Sequence, residues 1–181
     1  MRQSRNSMKI VNGTIRDIET IFTLYDNATA HQKTKFDKHW QGFDRSLIEK
    51  EIRENRLWKI MLDGSAVCVF SIAYLDPFIW GQKNDAPALY IHRIAANQDA
   101  RGKGCVKFIV NWAQEYGQQI GKKFIRMDTW GDNKKLIDYY TNCGFTLLGT
   151  IRPTLTNTLP KHYGANFVAL LEMNIQYESR A

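Results

Sequence analysis

The chain has 181 residues, 44% hydrophobic and 12% aromatic, enough for one domain with a core that needs no disulfide or metal staple. Lys and Arg number 25 against 18 Asp and Glu, for a formal net charge of +7. The basic residues are scattered, so the charge favours anionic partners without requiring nucleic acid. Cys68, Cys105 and Cys143 are odd in number and lack a C-x-x-C pair, which argues against a disulfide framework and for a reducing, cytoplasmic compartment. His31, His39, His92 and His162 show no metal-ligand spacing, so no metal is expected. The start, Met1 to Ser7, is polar and no apolar run approaches a membrane span.

No repeat or linker interrupts the chain, and 1–181 reads as a single domain. Lys9 to Asn12 reads as a first strand. Ile15, Ile18, Ile21, Phe22 and Tyr25 then recur at helical spacing behind Thr14 as cap, with Asp17 in the first turn. His31 to Phe43 mixes charge and aromatics and reads as loop or broken helix; Ser46 to Asn55 reads as a second helix. Leu57 to Leu62 and Ala66 to Leu75 form a hairpin about Asp63-Gly64. Pro77 to Pro87, punctuated by Pro and Gly, reads as loop, and Ala88 to Ala96 as a buried strand. Val106, Ile109, Val110, Ala113, Tyr116 and Ile120 mark one stripe of a long helix ending near Gly121. A strand from Phe124 to Trp130, a short helix from Asn133, and strands at Phe145 to Ile151 and Phe167 to Ile175 complete the chain. Mixed strands and helices of this order argue for an α/β sandwich on a mainly antiparallel sheet with some parallel pairing.

Between the buried strand and the long helix lies Ala100-Arg101-Gly102-Lys103-Gly104-Cys105-Val106. Two glycines let the backbone bend so that several N–H groups converge, and the helix adds its unpaired N-terminal amides and positive dipole end. Such a turn suits an anion, usually a phosphate. A plain glycine-rich helix start has the same composition, and the turn by itself does not decide between them.

Taken together, Leu89-Tyr90-Ile91-His92-Arg93-Ile94-Ala95-Ala96, then Arg101-Gly102-Lys103-Gly104, Asn133, and the segment Tyr140 to Phe145 resemble the GCN5-related N-acetyltransferases (GNAT). The resemblance follows element order over most of the chain, and its specific part runs from Leu89 to Phe145. It implies a single acetyltransferase domain whose mixed, mostly antiparallel sheet has six to seven strands flanked by helices. The fourth and fifth strands of that sheet splay to admit acetyl-CoA. The family turn, Q/R-x-x-G-x-G/A, maps onto Arg101, Gly104 and Val106, so a β-branched residue replaces the last small one and is expected to shift the cofactor slightly.

By the same resemblance, the amides of Arg101, Gly102, Lys103, Gly104, Cys105 and Val106 hold the pyrophosphate. Ile94, Ala95 and Ala96 present a strand edge to the amide-bearing pantetheine arm. Asn133 contacts the cofactor, although it also suits a helix N-cap. Tyr140 protonates the departing thiolate, because a phenol keeps its proton until a thiolate develops beside it. Tyr140 equally suits a core position on the face shared by Leu136 and Cys143.

The attacking amine must lose a proton. His92 is the leading acceptor, with Tyr90 and Asp128 as alternatives; alternation places Tyr90, His92 and Ile94 on one strand face. A buried, hydrogen-bonded structural histidine is the competing role for His92. A covalent route through Cys105 lacks a base beside it. Trp40, Phe43, Tyr74, Phe78, Trp80 and Trp130 fall where such enzymes border the acceptor, though packing accounts for such aromatics as well.

The expected activity is acetyl transfer from acetyl-CoA to a primary amine of a small molecule or peptide. A non-catalytic acyl-CoA sensor ranks second and a basic nucleic-acid binder third. No feature names the acceptor, since no acidic residues cluster along the chain. A homodimer through edge strands is compatible with the resemblance.

Overall fold

The computed structural model describes residues 7–153, 163–164 and 166–177. The polar segment 1–6 and His162, both weighed above, lie outside the described residues. Seven strands hydrogen-bond in the spatial order Lys9–Asn12, Leu57–Leu62, Ser65–Ala73, Ala88–Ala96, Phe124–Trp130, Val168–Asn174, Thr146–Ile151. Contacts divide the chain into two compact units, Met1–Ser71 with Arg93–Cys105, and Ile72–His92 with Val106–Ala181. Among the described residues no helix is long and apolar enough to cross a membrane.

In the first unit, β1 (Lys9–Asn12) leads through a short 3-10 turn into α1 (Ile18–Lys35). Thr14 starts that turn as the sequence predicts. Its backbone N–H and its hydroxyl both donate to Asp17 Oδ2, at 2.8 and 2.7 Å, which satisfies an otherwise orphaned helix-start amide. Helix α1 continues past His31 to Lys35, further than the mixed composition of that stretch suggests. Its buried face, Ile18, Ile21, Leu24, Tyr25 and Ala28, packs with Ile48 and Ile52 of α2 (Arg45–Arg53) and with Leu57, Val69 and Ala95. The antiparallel pair β2 (Leu57–Leu62) and β3 (Ser65–Ala73) turns at Asp63 and Gly64, both at positive φ (50° and 82°). That is the requirement of a type I′ turn, and Asp-Gly meets it. Trp40 and Phe43 pack on this core and on Tyr25.

In the second unit, the stretch expected as loop at Pro77 to Pro87 is instead a helical turn, α3 (Pro77–Trp80), followed by a 3-10 turn at Gly81–Asp85. Pro77 stands at the first helical position, where its missing N–H costs nothing. Strand β4 (Ala88–Ala96) pairs in parallel with β5 (Phe124–Trp130) over only three residues, Ala88↔Phe124 to Tyr90↔Arg126. The ladder stops there although both strands run on, which is the splay expected between the fourth and fifth strands. β5 pairs along its whole length with β7 (Val168–Asn174), and β6 (Thr146–Ile151) pairs on the far side of β7. Helix α4 (Cys105–Gln119) links β4 to β5, and α5 (Lys134–Asn142) follows β5. The long helix thus ends just before Gly121, which sits at φ +69°, a conformation glycine adopts without strain.

Candidate active site

The turn after β4 has the shape its composition predicts. Gly102 and Gly104 sit at φ +77° and +76°, and a Cβ built on either meets nothing within 4 Å. Among the described residues the structure records no hydrogen-bond partner for the amides of Gly102 and Gly104. Asn97 braces the approach: its side chain accepts from Ala100 N at 2.8 Å and its own N–H donates to Val67 O at 2.9 Å. Arg101, Gly102 and Lys103 are exposed. Open space over bent, donor-bearing backbone, flanked by two cations, fits the diphosphate of a nucleotide cofactor.

Cys105 and Val106 open α4 and are both buried. The neighbouring Cys68 thiol draws the Cys105 pKa down to about 7, while Cys105 and burial push Cys68 well up. Among the described residues no His, Asp or Glu side chain is recorded in contact with that pair, so the base and orienting group of a covalent relay are missing. The side chain of Val106, the residue expected to shift the cofactor slightly, is buried at the start of α4.

Ile94 and Ala96 are partly exposed, whereas Ala95 is 1% exposed and belongs to the core beneath α1. Alternation along β4 does not extend to Ile94, because Arg93 interrupts it at φ +53°. A left-handed arginine in a strand is strained by roughly 1–2 kcal/mol. Its guanidinium is anchored by Glu51 of α2 and by Ser71 Oγ at 2.8 Å, and lies 5.2 Å over the Phe43 ring. The irregularity is therefore held by buried charge, and the expected shared face of Tyr90, His92 and Ile94 is corrected to Tyr90 and His92.

In the second unit, His92 lies between two carboxylates. Its Nε2 is 3.4 Å from Asp76 Oδ2 and its Nδ1 is 3.8 Å from Asp128 Oδ1. Tyr163 OH donates to the other Asp128 oxygen at 3.0 Å. Burial, reinforced by Asp128, raises the Asp76 pKa from 3.8 to about 7. Burial raises Asp128 to about 6 against the opposing pull of the Tyr163 hydrogen bond. Such a cluster binds and releases protons around neutrality, which is what acid–base work requires.

Tyr90 belongs to a neighbouring network. Its hydroxyl donates to Asn84 Oδ1 at 3.1 Å and accepts from Arg126 Nη1 at 3.0 Å, and burial raises its pKa. Arg126, 3% exposed, also pairs with Glu172 at 2.8 Å and stacks 4.6 Å from the Trp80 ring centroid. Tyr90 is thereby committed to structure, and of the three candidate bases only His92 and Asp128 share a cluster.

Asn133 caps α5, its side chain accepting from Leu136 N at 3.1 Å. On the same helix Tyr140 is 9% exposed and edge-on to Phe145 at 6.4 Å, whereas its neighbour Tyr139 is 43% exposed. Sequence reasoning missed Asp76 and Tyr163. Asp76 precedes Pro77 and reads as a turn residue, and nothing local marks Tyr163.

The sequence model of the acetyltransferase (GNAT) family matches residues 18–145. An uncharacterized N-acetyltransferase of Bacillus subtilis, YesJ, is 27% identical over 141 residues, 74% of this chain and 78% of that protein. A crystal structure of a GNAT-family acetyltransferase from Listeria monocytogenes superposes with TM-score 0.74 at 20% identity, over 92% of this chain and 94% of that one. The structure of yncA from Salmonella typhimurium, a putative acetyltransferase with its cofactor acetyl-CoA, gives 0.66 at 14% identity, covering 97% and 98%. With the family match spanning well over half its length, the chain belongs to the GNAT family and is an acetyl-CoA-dependent N-acetyltransferase.

Proposed function

We propose that the protein transfers the acetyl group of acetyl-CoA to a primary amine by direct attack, with no acyl group carried on the chain. The observation that carries this reading is His92 with a carboxylate at each ring nitrogen. An amine attacks only when neutral, and this cluster is the proton acceptor such an attack needs. Acetyl-CoA supplies the acetyl group as an activated thioester.

The amides from Arg101 to Val106 bind the pyrophosphate, with Arg101 and Lys103 adding charge. Backbone groups of Ile94, Ala95 and Ala96 pair with the pantetheine arm, and an N–H there stabilises negative charge growing on the acetyl oxygen. Asn133 contacts the cofactor with the side chain that caps α5, Tyr140 protonates the departing sulfur, and His92 takes the amine proton. We take the whole chain as one acetyltransferase domain, since the family match draws on residues of both units.

The test is release of coenzyme A thiol across a panel of amines. Primary amines or peptide N-termini are expected to release it, and their tertiary counterparts are not. Thermal stabilisation by acetyl-CoA with no thiol released by any amine would replace this reading with an acyl-CoA sensor. Direct transfer has its own check. Cys105→Ser is expected to hold turnover within about threefold, whereas loss of the order of 10² or more would demand an acyl-enzyme.

A further inference from the structure

We propose that Asp76 and Asp128 act on the reaction through His92, as a two-carboxylate clamp that fits the imidazole to take a proton from a strongly basic aliphatic ammonium. This rests on the reading of His92 as proton acceptor. The clamp is argued from three features of the cluster. The carboxylates address different ring nitrogens, Asp76 at Nε2 and Asp128 at Nδ1. The facing atoms, Asp76 Oδ2 and Asp128 Oδ1, are buried and make no hydrogen bond among the described residues. The Asp128 side chain is only 5% exposed, with its second oxygen occupied by Tyr163.

A neutral imidazole has one N–H and one lone pair. It turns its N–H toward one of these oxygens and its lone pair toward the other, which is repulsive. One added proton turns both nitrogens into donors and sets a cation between the two carboxylates, 3.4 and 3.8 Å away. The proton passes from the amine nitrogen to the imidazole, the N–H bond breaking as the amine lone pair becomes free to attack, and no oxidant or other co-reactant is needed.

An isolated imidazole, near 6.5, is a weak acceptor for an alkylammonium, near 10.4, and facing carboxylates narrow that gap. One ligand atom from each of the three residues lies within 4.8 Å of the others, but the carboxylate oxygens face different ring nitrogens at 3.4 and 3.8 Å, an arrangement that the two N–H groups of an imidazolium answer and a metal ion on one nitrogen does not.

Among the described residues, Tyr163, Tyr90 and Asn84 also face the cluster, the last accepting from Asp76 N at 2.5 Å. Beyond Tyr90 stands the Arg126–Glu172 pair, neutral as a unit.

The test is an NMR pH titration of the His92 ring in the ligand-free protein, assigned by the signal lost in His92→Gln. It compares wild type with Asp76→Asn, Asp128→Asn and the conservative Asp76→Glu. The clamp is expected to make the midpoint drop by about one pH unit or more in each Asn variant and recover in Asp76→Glu. In parallel, kcat/KM for an alkylamine should fall by about tenfold or more in Asp76→Asn, and by less for an arylamine. The acid limb of the profile should move to lower pH while KM for acetyl-CoA holds. A midpoint within ~0.3 of wild type in Asp76→Asn, or in Asp128→Asn should the first variant not fold, overturns the clamp. Full turnover in His92→Gln would instead remove the base reading on which the clamp rests.

Discussion

Tyr140→Phe is expected to lower turnover by roughly 10²–10⁴ while acetyl-CoA affinity stays within about twofold. The substitution deletes one oxygen from a buried ring that packs edge-on to Phe145, so the fold keeps its apolar contacts. On the proposed role, the variant lacks the proton the departing sulfur needs: a thiolate without an acid is a poorer leaving group, and the barrier is expected to rise by about 3–5 kcal/mol. Tyr139→Phe is the matched control. That ring is 43% exposed, and its variant should turn over like wild type. Steady-state thiol release and calorimetry with coenzyme A separate the two effects. Equal losses in both variants would remove Tyr140 from the chemistry.

Much of this site was legible because its signals are local. Thr14 and Asp17, Asp63-Gly64, Asn133 and the glycines of the 101–106 turn each match a residue type to the backbone conformation it favours, and each stands where expected. The apolar runs of the strands and the stripe of α4 followed from periodicity in the same way.

The parts that were not legible are long-range. Asp76 and Asp128 are far apart along the chain and meet only across the imidazole of His92, so an acidic cluster invisible in the sequence exists in the structure. The break in β4 was hidden because an arginine, not a glycine, takes the left-handed position. Its stabilisers Glu51 and Ser71 come from elements remote in sequence. The helical turns between Pro77 and Asp85 were masked by Pro and Gly, which punctuate loops and short helices alike.

Asp128→Asn should make the protein more stable above neutral pH and slower at the same time. An unfolded aspartate releases its proton near 3.8, and in the native state Asp128 holds it to about 6. The native state therefore binds more protons than the unfolded chain between those values, and stability falls as pH rises through that window. Asp76, raised to about 7, extends the same trend upward. By pH 8 the charge on Asp128 costs about 3 kcal/mol. An asparagine removes that cost and keeps an oxygen for the Tyr163 hydroxyl. Thermal melts should show Asp128→Asn above wild type by about 5 °C or more at pH 8, converging toward pH 4. A variant that melts below wild type at pH 8 would mean that His92 still carries its proton there and offsets the charge on Asp128. The loss of turnover alongside the gain in stability is the usual trade at a site built from poorly solvated groups.

Calorimetry of acetyl-CoA binding to wild type and to Gly104→Val tests whether the bent backbone at 101–106 grips the cofactor. Valine at φ +76° has room for its side chain but the wrong backbone, so the variant should lose roughly 1–2 kcal/mol of stability and remain folded. With the amides displaced or covered, the dissociation constant is expected to rise by about tenfold or more. Equal affinity in a folded Gly104→Val protein, or no heat of binding in the wild type, would contradict the assignment of this turn.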